Sequence, residues 1–184
     1  MKKTLVFLMV AFLILGLASS AMAKNSNLVI VGDGENAAEF STDRTTSDYV
    51  KELITLVDAD KAGDIIYPDE NEYRYLFVPL YKDGELLGYG TWVNTVIYQH
   101  PEDFIAVVAP DASILKWKPL DANDHHPEMR KEEYISRYYG MTLDSTFNPE
   151  TDVISGSTIS CNTFYFEMRN ILLTAAELGP LAGE

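Results

Sequence analysis

Four β-rich runs separated by tight turn signals constrain this chain most. Residues 73–81 and 86–98 flank Lys82-Asp83-Gly84-Glu85, and residues 103–109 and 113–120 flank Pro110-Asp111-Ala112. Asp-Gly between two such runs is the signature of a two-residue hairpin, because both turn residues must take positive φ. Consecutive hairpins predict an antiparallel sheet. Gly88 and Gly90 in the second run mark a bulge or a close approach of another backbone. Helical periodicity appears outside the sheet. Thr46 or Ser47 caps a helix running to about Asp58, with Val50, Leu53, Ile54 and Val57 on one face. A short helix over 131–139 ends at Gly140, and a long one covers 159–178. The class is α+β: an antiparallel sheet of hairpins packed with a few helices.

The N-terminus sets the compartment. Lys2 and Lys3 precede an almost wholly apolar run over 5–17, and Ala21-Met22-Ala23 closes it with an Ala-x-Ala cleavage signature. That is the pattern of a secretory signal peptide, and the run is shorter than the ~20 residues a membrane span needs. The alternative is an uncleaved N-terminal anchor. The organisation reads as a signal peptide over 1–23, an N-terminal segment with one helix over 24–72, and a domain over 73–184. Removing residues 1–23 from the 184-residue chain leaves 161, which suits one domain. It also lowers the basic residues from 14 to 12 against 28 acids, so the net charge moves from −14 to −16. Such a chain excludes nucleic acid as a partner and suits a basic redox partner. Cys161 is the only cysteine, so no intrachain disulfide forms. A short β-branched run, Leu28-Val29-Ile30-Val31, ends at the turn signal Gly32-Asp33-Gly34. Gly32, Gly34 and Ala37 have dinucleotide-fold spacing, but Glu35 would face phosphate and no helix follows, so that reading is rejected.

The run with the most chemistry is Asp152-Val153-Ile154-Ser155-Gly156-Ser157-Thr158-Ile159-Ser160. Four hydroxyls surround one glycine, and a helix-periodic stretch follows at once. The first backbone N–H groups of a helix lack intrahelical partners, and the helix dipole favours negative charge there, so small hydroxyl residues and glycine suit a phosphate. The plain reading is that Ser157 or Thr158 serves as an N-cap.

The same run resembles the flavinylation motif of the FMN-binding domain family. That family includes the FMN-bearing peripheral subunits of sodium-translocating NADH:quinone reductases and Rnf complexes. The family pattern is Asp, two variable residues, Ser or Thr, Gly, Ala or Ser, Thr, one variable residue, and Ser or Thr. The resemblance implies FMN bound covalently through a phosphoester to Thr158, installed from FAD by a separate flavin transferase. It also implies roles near the cofactor for Asp152, Ser155, Gly156, Ser157 and Ser160. Val153 and Ser157 depart mildly, since a small residue and Ala are commoner in their places. Leu80-Tyr81-Lys82-Asp83-Gly84-Glu85-Leu86-Leu87-Gly88-Tyr89 is similar to the family's strand, Asp-Gly turn and Gly-Tyr strand. The resemblance covers roughly residues 73–178. Where the family often carries a Glu-Thr-Pro-Gly-like loop near the flavin, this chain has Asp124-His125-His126-Pro127-Glu128.

Other constellations carry less. Asp121, Asp124, His125, His126 and Glu128 form the densest group of potential ligands, read as a solvated loop before a metal site. A third reading puts His125 or His126 beside the flavin ring. Trp92 and Trp117, on strands of the sheet, are further candidates to stack on the ring, although most aromatics of the chain belong to the core. Cys161 reads as a buried small apolar residue, with a redox role the minority reading. Ser155-Gly156-Ser157 is not a nucleophile elbow, and no P-loop, zinc motif or calcium loop is present.

The chain therefore reads as an exported, periplasmic or extracellular electron-transfer flavoprotein, a carrier before an enzyme. Its partners would be the flavin transferase and a redox protein, with no membrane span after cleavage. The alternative is a module that binds FMN or another phosphorylated ligand reversibly. Mass spectrometry of the exported protein should find Lys24 as the first residue. A chain still beginning at Met1 and held in the membrane would replace cleavage with the anchored form.

Overall fold

The computed structural model describes residues 28–31, 38–41, 44–66, 75–97, 100–120, 127–148 and 150–177. Within them the chain is α+β. Strand β1 (Leu28–Val31) pairs antiparallel with β2 (Ala38–Ser41) in a two-stranded sheet. Helix α1 (Thr46–Val57) follows, then β3 (Lys61–Ala62), β4 (Val78–Lys82), β5 (Glu85–Ile97), β6 (His100–Val108) and β7 (Ile114–Pro119). These last five form one antiparallel sheet in sequence order. A short 3₁₀ turn (Pro127–Arg130), helix α2 (Glu132–Ile135), a second 3₁₀ turn (Ser136–Tyr138) and the long helix α3 (Thr158–Glu177) complete it.

The Asp83-Gly84 signal does what its chemistry requires. Lys82 pairs with Glu85, and the two residues between them have φ of +51° and +84°, the left-handed pair of a tight hairpin. Strands β5 and β6 form the longest ladder, from Tyr89 opposite Val108 to Ile97 opposite His100. Strand β6 begins at His100, earlier than the expected residue 103, because Pro101 and Glu102 pair with Val96 and Thr95 of β5. The connection to β7 is a turn in which Asp111 Oδ1 accepts from the Ser113 N–H at 3.1 Å and the Ser113 hydroxyl at 2.6 Å.

Successive side chains of a strand face opposite ways, and β6 is covered on both faces. Phe104, Ala106 and Val108 point into a core built with Trp117, Tyr134, Tyr138, Cys161, Phe164, Met168 and Leu172. Ile105 and Val107 point into a second core with Val78, Leu80, Tyr49 and Leu53. Helix α3 thus closes one face of the sheet and α1 the other.

Helix α1 is held by its cap and by one buried carboxylate. The cap is Thr45, one residue before the expected position, because Asp48 three residues later completes a capping box: the Thr45 N–H donates to Asp48 Oδ2 at 3.0 Å, and Asp48 N–H to Thr45 Oγ1 at 3.3 Å. Asp103, 1% exposed, accepts from Arg44 at 3.1 Å and from the Tyr49 hydroxyl at 2.8 Å, and also from Asn94. A buried carboxylate is tolerable when several donors meet it. Tyr49 in turn stacks on Trp92, centroids 5.3 Å apart and 3° from parallel.

Glycines sit where other groups crowd β5. A Cβ at Gly88 would lie 2.5 Å from the Val108 carbonyl oxygen, and one at Gly90 would lie 2.8 Å from Leu53 Cδ1. The Gly88 obstacle is backbone and cannot rotate away. Gly88→Ala should therefore cost about 1–3 kcal/mol and lower the urea midpoint with little change in slope. An unchanged midpoint would show that the β5–β6 ladder has slack the structure does not display.

Candidate functional site

The motif occupies the last loop and the first turn of α3. The loop is self-braced. Asp152 Oδ2 accepts from the Asn148 N–H, its Oδ1 accepts from the Thr151 hydroxyl at 3.2 Å, and its own N–H donates to the Asn148 carbonyl at 2.8 Å. Asp152 is thus spent largely on closing the loop that delivers the motif. Ile154 to Ser157 then forms a β-turn closed by the Ser157 N–H on the Ile154 carbonyl at 2.9 Å. Gly156 stands third in that turn with φ +86°, a value that excludes most side chains. The Ile154 N–H donates to Cys161 Sγ at 3.4 Å.

The helical ladder starts with the Cys161 N–H on the Ser157 carbonyl at 2.9 Å. The N–H groups of Thr158, Ile159 and Ser160 therefore lack a carbonyl one turn back. The first turn of this 20-residue helix carries no acid. The four hydroxyls divide: Ser155 and Thr158 are exposed, whereas Ser157 and Ser160 are 2% and 6% exposed. The expected side-chain cap is not made. Ser157 Oγ is buried without a hydrogen-bond partner, and no Thr158 side-chain bond occurs among the described residues. Nothing lies within 4 Å of where a Cβ at Gly156 would sit. An orphaned buried hydroxyl, open space at the glycine and unpartnered N–H groups are what a phosphate on Thr158 would use, so the residues present fit the group.

Beside the motif lies a cleft of about 180 Å³ lined by Asp152, Arg137, Tyr138, Tyr139, Phe147 and Tyr165, among others. Three of these rings come from the segment between α2 and the motif, and Tyr165 from α3. Arg137 donates to the Thr151 carbonyl at 2.6 Å. Tyr165 donates to the Ser145 carbonyl at 3.0 Å and packs on Phe147. Burial, and after it the Glu132 carboxylate, push Tyr139 up to about 12. Deeper, Tyr134 and Tyr138 share a 2.8 Å hydrogen bond, and burial pushes both hydroxyls far above their usual range. All three stay neutral at physiological pH.

Several expected residues fall elsewhere. Trp117 is 1% exposed and walled in by Phe104, Tyr134, Tyr138 and Phe164, so no ligand ring reaches it. Trp92 faces α1 through Tyr49 and does not line the cleft. Cys161 is fully buried against the tyrosine pair, as its small apolar reading expects. His125 and His126 lie outside the described residues, and Pro127 and Glu128 are exposed at the start of a 3₁₀ turn. Tyr165 was findable, since it follows Thr158 by seven residues and so shares its side of the helix. Arg137, Tyr139 and Phe147 carry no local signal that links them to the motif.

Comparison with protein-family models finds no match, and comparison with curated proteins finds none either. No helix among the described residues is long and apolar enough to cross a membrane.

The orphaned hydroxyl gives a direct check. Ser157→Ala in the flavin-free protein should be neutral within about 0.5 kcal/mol, or stabilising, because it removes an unpaired buried polar atom. A loss of about 1 kcal/mol or more would restore Ser157 as an ordinary helix cap.

Proposed function

We propose that this protein is an exported electron-transfer flavoprotein carrying FMN covalently through a phosphoester to Thr158. The observation that carries the reading is the position of Thr158: exposed, in the first turn of α3, and next to the buried, unpartnered Ser157 hydroxyl. An exposed hydroxyl is accessible to a modifying enzyme. The helix start beside it supplies the electrostatics a phosphate diester needs. The likeness of Asp152 to Ser160 to the flavinylation motif supplies the identity of the ligand.

In this reading a flavin transferase takes FAD as donor. The new bond joins Thr158 Oγ to the FMN phosphorus, the bond to the AMP half breaks, and the hydroxyl proton passes to a base of the transferase. When bound, the flavin supplies the redox chemistry, and the protein supplies attachment, orientation and charge. A covalent link suits a protein outside the cytoplasm, where a dissociating cofactor is lost by dilution. The strongly acidic chain favours a basic redox partner by long-range steering. The protein is then a carrier between a donor and an acceptor, with no substrate chemistry of its own.

The alternative is a module in which the same helix start holds FMN or another phosphorylated ligand reversibly. Co-expression with a flavin transferase followed by a denaturing gel separates the two, because only a covalent flavin stays fluorescent on the chain. Thr158→Ala should abolish that band, with stability changed by less than about 0.5 kcal/mol, as befits an exposed site. Thr158→Ser should retain some. Asp152→Ala should reduce loading by loosening the Asn148–Asp152 loop. Persistent covalent fluorescence in Thr158→Ala would remove the attachment site from this residue.

A further inference from the structure

Arg137 is the only cation among the residues that line the cleft beside the motif. One of its nitrogens is fixed on the Thr151 carbonyl, one residue from Asp152. Its near carboxylate, Glu133, stands 3.9 Å away on a side chain that is 85% exposed. Solvent screens such a pair, and the Arg137 side chain, itself 34% exposed, lines the cleft. The other charged group there, Asp152, already accepts from the Asn148 N–H and the Thr151 hydroxyl. The walls are aromatic and uncharged: Tyr138, Tyr139, Phe147 and Tyr165. A flat aromatic ring that gains negative charge is the ligand class this combination favours.

The cleft also lies at a suitable place. Tyr165 stands two turns along α3 from Thr158, about 10.5 Å along the same side of the helix. Asp152, at the start of the motif, also forms part of the lining. A ring tethered at Thr158 therefore has an aromatic seat on the motif's own helix. An oxidised isoalloxazine is uncharged, and uptake of two electrons and one proton leaves it one negative charge. A fixed cation beside it stabilises the reduced form and raises its potential.

We propose that Arg137 sets the reduction potential of the flavin carried at Thr158, by placing a permanent positive charge in the cleft that seats the ring. The inference rests on the covalent-FMN reading above.

The test is a reductive titration of the flavinylated protein with dithionite against a reference dye, run on wild type, Arg137→Gln, Arg137→Lys and Glu133→Gln. Arg137→Gln should weaken the hold on the reduced form roughly tenfold, a negative shift of about 30 mV for a two-electron couple. Arg137→Lys should recover part of it. Glu133→Gln, at an exposed and solvent-screened position, should leave the potential close to wild type. Lys118, which pairs with Glu52 on the α1 side of the sheet, is the control, and Lys118→Gln should leave the potential unchanged. An Arg137→Gln protein with covalent flavin and a wild-type potential overturns the role of Arg137 and leaves the attachment intact. Should Arg137→Gln not fold, Arg137→Met supplies an uncharged side chain of similar length, and a wild-type potential in that flavinylated variant overturns it equally. Absence of covalent fluorescence in the wild type instead removes the attachment reading itself.

Discussion

The burial of β6 on both faces is the constraint on which the rest of the structure depends. Phe104 through Val108 are fully buried, alternate side chains entering two different cores. A strand of that kind is stable only where both faces of its sheet are covered. Helix α1 covers one face and α3 the other. Docking α3 fixes Cys161, Phe164, Met168 and Leu172 against the sheet. It thereby fixes where the helix begins, and the motif sits at that beginning. The position of Thr158 is a consequence of packing, several residues removed from any apolar contact of its own.

Between the two faces the polar demands differ. On the α1 side a single buried carboxylate, Asp103, gathers donors from Arg44, Tyr49 and Asn94. On the α3 side two hydroxyls, those of Ser157 and of Thr91 on β5, are buried with no hydrogen-bond partner. The Thr91 hydroxyl lies within the sheet, whereas that of Ser157 stands beside a helix start, where the oxygen atoms of a bound phosphate would complete its bonding.

Much of the architecture was legible because it rests on local chemistry. The Asp83-Gly84 turn, the period of α1 and the long helix after the motif each depend on residues a few positions apart. The start of β6 was not legible. Pro101 and Glu102 look like turn residues, and the strand runs through them because β5 is long enough to pair with both, Val96 opposite Pro101 and Thr95 opposite Glu102. The cap of α1 was misplaced by one residue, since Thr45, Thr46 and Ser47 are equivalent until Asp48 is paired with one of them. The motif was legible as a run, but not the division of its hydroxyls into two buried and two exposed, which follows from how α3 lies on the sheet. The cleft was the least legible part. Arg137, Tyr139, Phe147 and Tyr165 converge only because the segment between α2 and α3 folds back against the helix. The tryptophans, the obvious sequence candidates for ring contact, serve the two cores instead.

The claim that a flavin is joined at Thr158 is reached most directly by peptide mass spectrometry of protein matured with a flavin transferase. The expected result is a peptide spanning Asp152 to Ser160 heavier by one FMN less one water, with fragmentation placing the added mass on Thr158. An unmodified peptide from fully matured protein, or the added mass on Ser155, Ser157 or Ser160, would contradict it.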